Sequence, residues 1–141
     1  MSHDPKAIRA LALAIIKNDQ NQILVSPGYD KVKNEHFFRL LGGGIDLGEY
    51  SLEALKREFK EELNADLTNC CLLGVLENIF TFDGLIGHEI CSIYAADFAD
   101  LKMYEQSEFK ILDSKDAGAA IWLDAKEIKN SRIYPDISTW M

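Results

Sequence analysis

Apolar and polar positions along the chain fall into short runs that read mostly as strands. Residues 8–16 form an apolar run rich in Ala, Leu and Ile, a polar stretch from Lys17 to Asn21 follows, and Ile23-Leu24-Val25 restores the apolar character. Two strands joined by a polar turn are expected there. Ser26-Pro27-Gly28-Tyr29-Asp30 is expected to break the second strand, with a surface loop through Glu35. Phe37-Phe38-Arg39-Leu40-Leu41 reads as a third strand, stopped by Gly42-Gly43-Gly44. The period then changes. Leu52, Leu55, Phe59 and Leu63 recur at spacings of three and four, which stacks them as one stripe on a helix over residues 51–63, capped by Ser51 or a residue just before it. Residues 71–82 and 88–98 have strand character and predict a hairpin with a five-residue connection, Asp83 to Gly87. A further strand is expected at residues 119–123, and helical segments at 124–129 and 136–141. Strands interrupted by one strongly amphipathic helix predict a layered α/β or α+β fold.

Length and composition narrow this picture. A chain of 141 residues is of single-domain size and shows no internal repeat, low-complexity segment or linker, so residues 1–141 are expected to form one domain. With 48% hydrophobic and 27% charged residues it has the composition of a globular protein. Its net charge of −8 repels a nucleic-acid duplex or an anionic membrane surface. Small anionic substrates stay compatible with that charge, because a local cation overrides it within a Debye length of ~10 Å. Cys70, Cys71 and Cys91 lie in apolar runs without zinc-ligand spacing and are expected to be reduced core thiols. Met1-Ser2-His3-Asp4-Pro5 lacks the pattern of a signal peptide, and no apolar run reaches the ~18 residues of a membrane span, so a cytoplasmic location is expected.

The chemistry concentrates between Gly43 and Ala65. On a helix, Glu58 and Glu62 stack one turn apart while Glu61 lies beside them. Three carboxylates on one edge repel one another by roughly 0.2–0.5 kcal/mol per exposed pair and favour a bound cation. Hard oxygen donors suit Mg²⁺ or Mn²⁺, which keep places for water and phosphate oxygens. The preceding glycines let the backbone turn tightly and approach a ligand, although the Gly-Lys-Ser/Thr ending of a P-loop is missing. Arg57, four residues before Glu61, is placed to pair with it, and Glu49 precedes the helix.

Taken together, Gly43, Glu49, Arg57, Glu58, Phe59, Glu61 and Glu62 resemble the signature of the Nudix hydrolases, G-x5-E-x7-R-E-U-x-E-E-x-G-U, with every charged position present. Asn64 stands where the family usually has Gly, Ala65 is small for the last apolar position, Phe59 is aromatic, and Leu41 replaces a frequent proline. The resemblance implies a Nudix-type α/β/α sandwich around a mixed β-sheet. It further implies a metal-dependent hydrolase that cleaves the diphosphate linkage of a nucleoside diphosphate derivative, or a nucleoside triphosphate to monophosphate and pyrophosphate. Carried over by position, Glu58, Glu61, Glu62 and the Gly42 carbonyl are the metal ligands for Mg²⁺ or Mn²⁺. Glu61, Glu58 and Arg57 form the catalytic set, with Arg57 fixing a carboxylate. Glu61 competes as general base with Glu105, Glu108, Asp113 and Asp116 in later segments. Arg39, Gly43 and Gly44 are the expected substrate contacts. Lys31, Lys33 and His36 would add local positive charge, and Phe37, Phe38, Phe80 and Phe82 divide between core and base stacking. His88 and Glu89 head a strand and would orient substrate or serve structure. Relatives often dimerise, so a homodimer is an expected assembly. The alternative on the same fold is a nucleotide sensor that binds without hydrolysis.

Overall fold

The structure, a computed structural model, describes residues 6–112, 118–128 and 130–141. Eight strands form one mixed sheet: β1 (Arg9–Ile15), β2 (Gln22–Asp30), β3 (Glu35–Gly44), β4 (Leu67–Phe82), β5 (Leu85–Phe98), β6 (Glu108–Lys110), β7 (Ala119–Asp124) and β8 (Ile133–Tyr134). Their order is β4-β5-β1-β3-β2-β7-β6, with β8 beside β3. The β1–β5 and β3–β8 pairs are parallel and the rest antiparallel. Helix α1 (Ser51–Leu63) follows β3, and the one-turn α2 (Ala125–Ile128) follows β7.

Apolar residues on the two faces of the sheet build two cores. Ala12, Ala14, Leu24 and Leu41 pack under Leu55, Phe59 and Leu63 of α1. Leu11, Leu13, Val25, Leu40 and Ile93 face the other way, where Ile128 of α2 and Ile137 and Trp140 near the C-terminus cover them. The result is an α/β/α arrangement with one thick and one thin helical layer. Among the described residues, no helix is long and apolar enough to cross a membrane.

Strand β3 passes from one partner to another. Its first part, Glu35 to Leu40, pairs with β2, and Leu41 to Gly44 pairs with β1. The glycines therefore continue the strand instead of stopping it. Gly42, at φ +136°, lies so close to β1 that any side chain there would collide with the Ala12 carbonyl.

Other sequence expectations are corrected as well. Pro27 does not break β2, because beyond Val25 β3 is that strand's only strand partner among the described residues and the missing N–H falls on the edge away from it. The β4–β5 connection is the two residues Asp83-Gly84, both at positive φ, in place of five. Strand β4 begins at Leu67, four residues early, across register shifts near Asn69 and Leu73. Short β6 and a 3₁₀ turn at Leu101–Glu105 were not foreseen. The expected C-terminal helix is a single 3₁₀ turn, Ser138–Trp140. The helix expected at 124–129 is α2 alone, and Lys129 lies outside the described residues. All three thiols are free, but Cys91 alone of them is buried; Cys70 is half-buried and Cys71 exposed. Burial pushes the Cys91 thiol up to about 12, which keeps it protonated.

Candidate active site

Helix α1 is preceded by its N-cap residue Tyr50, whose backbone is extended and whose N–H donates to Glu53 Oε1 at 3.1 Å. Its end is closed by Asn64 in the left-handed region, φ 52° and ψ 41°. The Asn64 and Ala65 N–H groups return to the carbonyls of Lys60 and Phe59, and Ala65 is buried. Asn substitutes for glycine here because its short polar side chain tolerates that geometry. Leu55 and Phe59, both fully buried, fix which face is inward, and this sets the carboxylate edge beside the glycine segment of β3.

Arg57 organises that edge. Its Nε donates to Glu49 Oε2 at 2.7 Å and its Nη2 to Glu49 Oε1 at 3.0 Å, a bidentate pair. Nη2 also donates to the Gly44 carbonyl at 2.9 Å and lies 3.4 Å from Asp46 Oδ2. Nη1 donates to Glu58 Oε1 at 3.0 Å and, more loosely, to Glu61 at 3.3 and 3.4 Å. One guanidinium thus ties the loop after β3 to two helix carboxylates. The pairing with Glu61 expected from spacing is present, but the closest bonds go to Glu49. Hydrogen bonds from Arg57 and then from the Asp46 N–H lower the Glu49 carboxyl to about 2. The Arg57 guanidinium is pushed further up from its ordinary value, first by Glu49, against the opposing effect of burial, and then by Glu58.

Glu58, with a side chain 12% exposed, occupies space that only glycine leaves open: a side chain on Gly43 would collide with its carboxylate. Glu61 is 45% exposed at the rim. Glu62 is half-buried, and its carbonyl accepts the Leu112 N–H at 2.8 Å, which brings the segment after β6 to the end of α1. Among the described residues, no three His, Cys, Asp or Glu side chains converge at metal-ligand separation, since Glu58 and Glu61 are turned onto Arg57. The donors nevertheless fit a hard divalent cation in kind, and the cradle at Gly43 holds one of them at the turn.

Of the other base candidates, Glu105 ends the 3₁₀ turn and lines a polar hollow with Asn18 and Trp122, and Glu108 is exposed on β6. Asp113 and Asp116 lie outside the described residues.

A second feature lies behind the glycines. A cavity of about 320 Å³ opens between β1, the start of β3, β8 and the tip of the β4–β5 hairpin. Leu11 and Leu13 line it, and their register partners on β3 are Gly44 and Gly42. Phe37, Phe80, Phe82 and Tyr134 supply its aromatic wall, with Phe37 5.7 Å from both Phe82 and Tyr134. Phe38 instead packs against the second core. Arg39 is exposed at the rim, and among the described residues no carboxylate pairs with it. Lys33 also lines the cavity but is occupied by Asp30 at 3.7 Å and Glu35 at 3.5 Å. His36 packs on the Tyr29 ring, and Lys31 is exposed. His88 and Glu89 both line the cavity.

Buried Asp30 holds this end together by accepting from Val32, Lys33 and Asp83 N–H groups at 3.0, 3.1 and 3.2 Å. Burial pushes its carboxyl up, but the hydrogen bonds from Lys33, Asp83 and Val32 outweigh that, so the net direction is down. Arg9, Asn78 and Tyr134 were not singled out from sequence. A signal existed for Arg9 and Glu89: each puts a charge on the inward phase of an otherwise apolar strand.

The NUDIX domain family model matches residues 7–141. Among solved structures, the chain is similar to a MutT NUDIX hydrolase from Burkholderia pseudomallei, with 26% identity over 84% of each chain and a TM-score of 0.61. A mutator MutT protein from Bacillus halodurans is 20% identical over 89% of this chain and 74% of its own, with a TM-score of 0.58. The Escherichia coli ORF135 protein is 21% identical over 91% and 81%, with a TM-score of 0.53. These last two show likeness of fold. No curated protein matches the chain.

Proposed function

The chain belongs to the Nudix hydrolase family, and from that premise we propose that it cleaves the diphosphate linkage of a nucleoside diphosphate derivative, or of a nucleoside triphosphate, releasing a nucleoside monophosphate. The observation that carries this reading is a juxtaposition across β3: acidic α1 packs on one side of the glycine segment, and an aromatic cavity backs onto its β1 partner. A base fits the aromatic cavity, and its diphosphate then reaches the glycine turn.

Nudix hydrolases generally use divalent cations. Glu58, Glu61, Glu62 and the Gly42 carbonyl are the groups that would hold Mg²⁺ or Mn²⁺ here. Such an ion, when bound, neutralises phosphate oxygens and lowers the pKa of coordinated water. Glu61 is the base we assign, because it is exposed and held by long hydrogen bonds, so it is free to swing and accept a proton from water. Arg57 is a positioning residue: its bonds to Glu49, Gly44 and Asp46 fix the turn, and its Nη1 keeps Glu58 oriented. Gly43 leaves room beside the turn for the Glu58 carboxylate, Gly44 is buried with its carbonyl taken by Arg57, and Arg39, exposed at the rim with no carboxylate paired to it among the described residues, offers a planar fork to a phosphate oxygen. A second copy of the chain is the partner we assign to the uncovered outer face of the β4–β5 hairpin.

The test is release of nucleoside monophosphate from a panel of ADP-ribose, dinucleotide polyphosphates, nucleotide sugars and nucleoside triphosphates in Mg²⁺. Glu58→Gln and Glu62→Gln should each lower turnover by at least ~100-fold, and chelation of the metal should abolish it. Unchanged turnover in both variants would remove the assignment, and nucleotide binding without product would make the protein a sensor.

A further inference from the structure

Strand β5 carries a carboxylate on its inward phase. Glu89 shares that phase with Cys91 and Ile93, both fully buried, and is itself only 6% exposed. A carboxylate in that setting needs hydrogen-bond donors. Among the described residues it receives one hydrogen bond, from Asn78 Nδ2 to Oε1 at 3.3 Å. Arg9 is a loose partner, its Nη1 4.0 Å from Oε2, beyond hydrogen-bond reach. Arg9 and Glu89 are register partners across the parallel β1–β5 pair, and Asn78 faces Glu89 across the antiparallel β4–β5 pair. All three line the cavity. An acceptor with spare capacity and a cationic donor therefore stand side by side on its wall, near the flat faces of Phe80 and Tyr134, whose planes are 28° apart.

We propose that this wall reads the base of the substrate and that the base is guanine or a close analogue. This rests on the reading of the site as a nucleotide site and names which nucleotide it takes. The guanine edge presents a ring N–H and an adjacent exocyclic amino group, two donors for the two Glu89 oxygens, next to a carbonyl that accepts from Arg9. Adenine and cytosine turn a ring-nitrogen lone pair toward the carboxylate beside their amino group, and uracil and thymine offer one N–H between two carbonyls. A buried carboxylate disfavours each of these, because a site built to receive N–H donors discriminates strongly against ligands that lack them. Asn78 is the positioning residue, holding Oε1 from the neighbouring strand.

The experiment is calorimetric titration of the metal-free protein with GMP, IMP and AMP, which share one phosphate and differ in the base edge. GMP is expected to bind about tenfold more tightly than IMP, which lacks the amino group, and about thirtyfold more tightly than AMP, in line with hydrogen bonds to a charged acceptor. Glu89→Gln should bring the GMP-to-AMP ratio to within about threefold. Equal affinities for the three in the wild type, or a preserved ratio in folded Glu89→Gln, overturns the proposal; should that variant fail to fold, the wild-type order decides alone. The two readings fail separately. Guanine-selective binding without any hydrolysis keeps this assignment and removes the enzyme reading, whereas hydrolysis of all bases at equal kcat/KM does the reverse.

Discussion

Arg57 holds two carboxylates and a loop at once, so its neighbours report it through pH. The Glu49 carboxyl is lowered from an ordinary 4.5 to about 2, so between those values the folded state binds fewer protons than the unfolded chain. The stabilisation is complete above about 4.5 and is lost as pH falls toward 2. Glu49→Gln should flatten the acid side of the stability profile in that window, measured by denaturant midpoints at successive pH values; an unchanged slope would place the effect elsewhere. Adjacent glycines should separate stability from activity. Gly42→Ala meets the Ala12 carbonyl at positive φ and should cost at least about 2 kcal/mol in unfolding experiments. Gly43→Ala meets a movable carboxylate, so its fold should survive while turnover drops ~100-fold through displacement of Glu58. Spacing alone placed Arg57 beside Glu61, because i,i+4 neighbours share a helix face. It did not show that Glu49 is the tighter partner, since that pair depends on how the loop from Asp46 to Glu49 folds back.

Helix α1 was legible because its stripe, polar edge and ends all agree. Asn64→Ala should cost about 1 kcal/mol by forcing a Cβ without polar compensation into the left-handed region, and Asn64→Gly should be neutral or slightly stabilising; thermal melts of both variants check this. A larger loss in the glycine variant would mean that the Asn64 side chain, not its backbone geometry, closes the helix. Strands were harder to read at their ends. Pro27 and Gly42 to Gly44 are punctuation in a sequence, yet each is absorbed by pairing: Pro27 by the edge away from β3, the glycines by a change of partner from β2 to β1. Those outcomes depend on neighbours distant along the chain. The Asp83-Gly84 turn was legible in kind, but the apolar residues Leu85 and Ile86 just beyond it blurred where β5 begins. The cavity needs five separate strands, β1, β3, β4, β5 and β8, to meet, and only the misplaced charges of Arg9 and Glu89 hinted at it.

At the scale of the molecule, α1 is too short to cover its face of the sheet. It packs over Tyr94, Ala96 and Phe98 at one end of β5, and the distal half of the β4–β5 hairpin extends past it. There Val75, Ile79, Ile86 and Ile90 are 58%, 66%, 71% and 41% exposed. Strand β4 is also an edge of the sheet, so among the described residues one side of its backbone has donors and acceptors without a strand partner. A second copy would satisfy both needs together, because two β4 edges related by a two-fold axis run antiparallel and would bring the apolar rows alongside each other. Light scattering should therefore give twice the 15.9 kDa mass of one chain. Ile79→Asp with Ile90→Asp should return it to a single chain, since charges facing their own copies across the axis repel, while circular dichroism stays that of the wild type. A wild-type mass of one chain would leave the hairpin as an exposed apolar patch on a monomer, and a dimer that survives both aspartates would place the contact on another face.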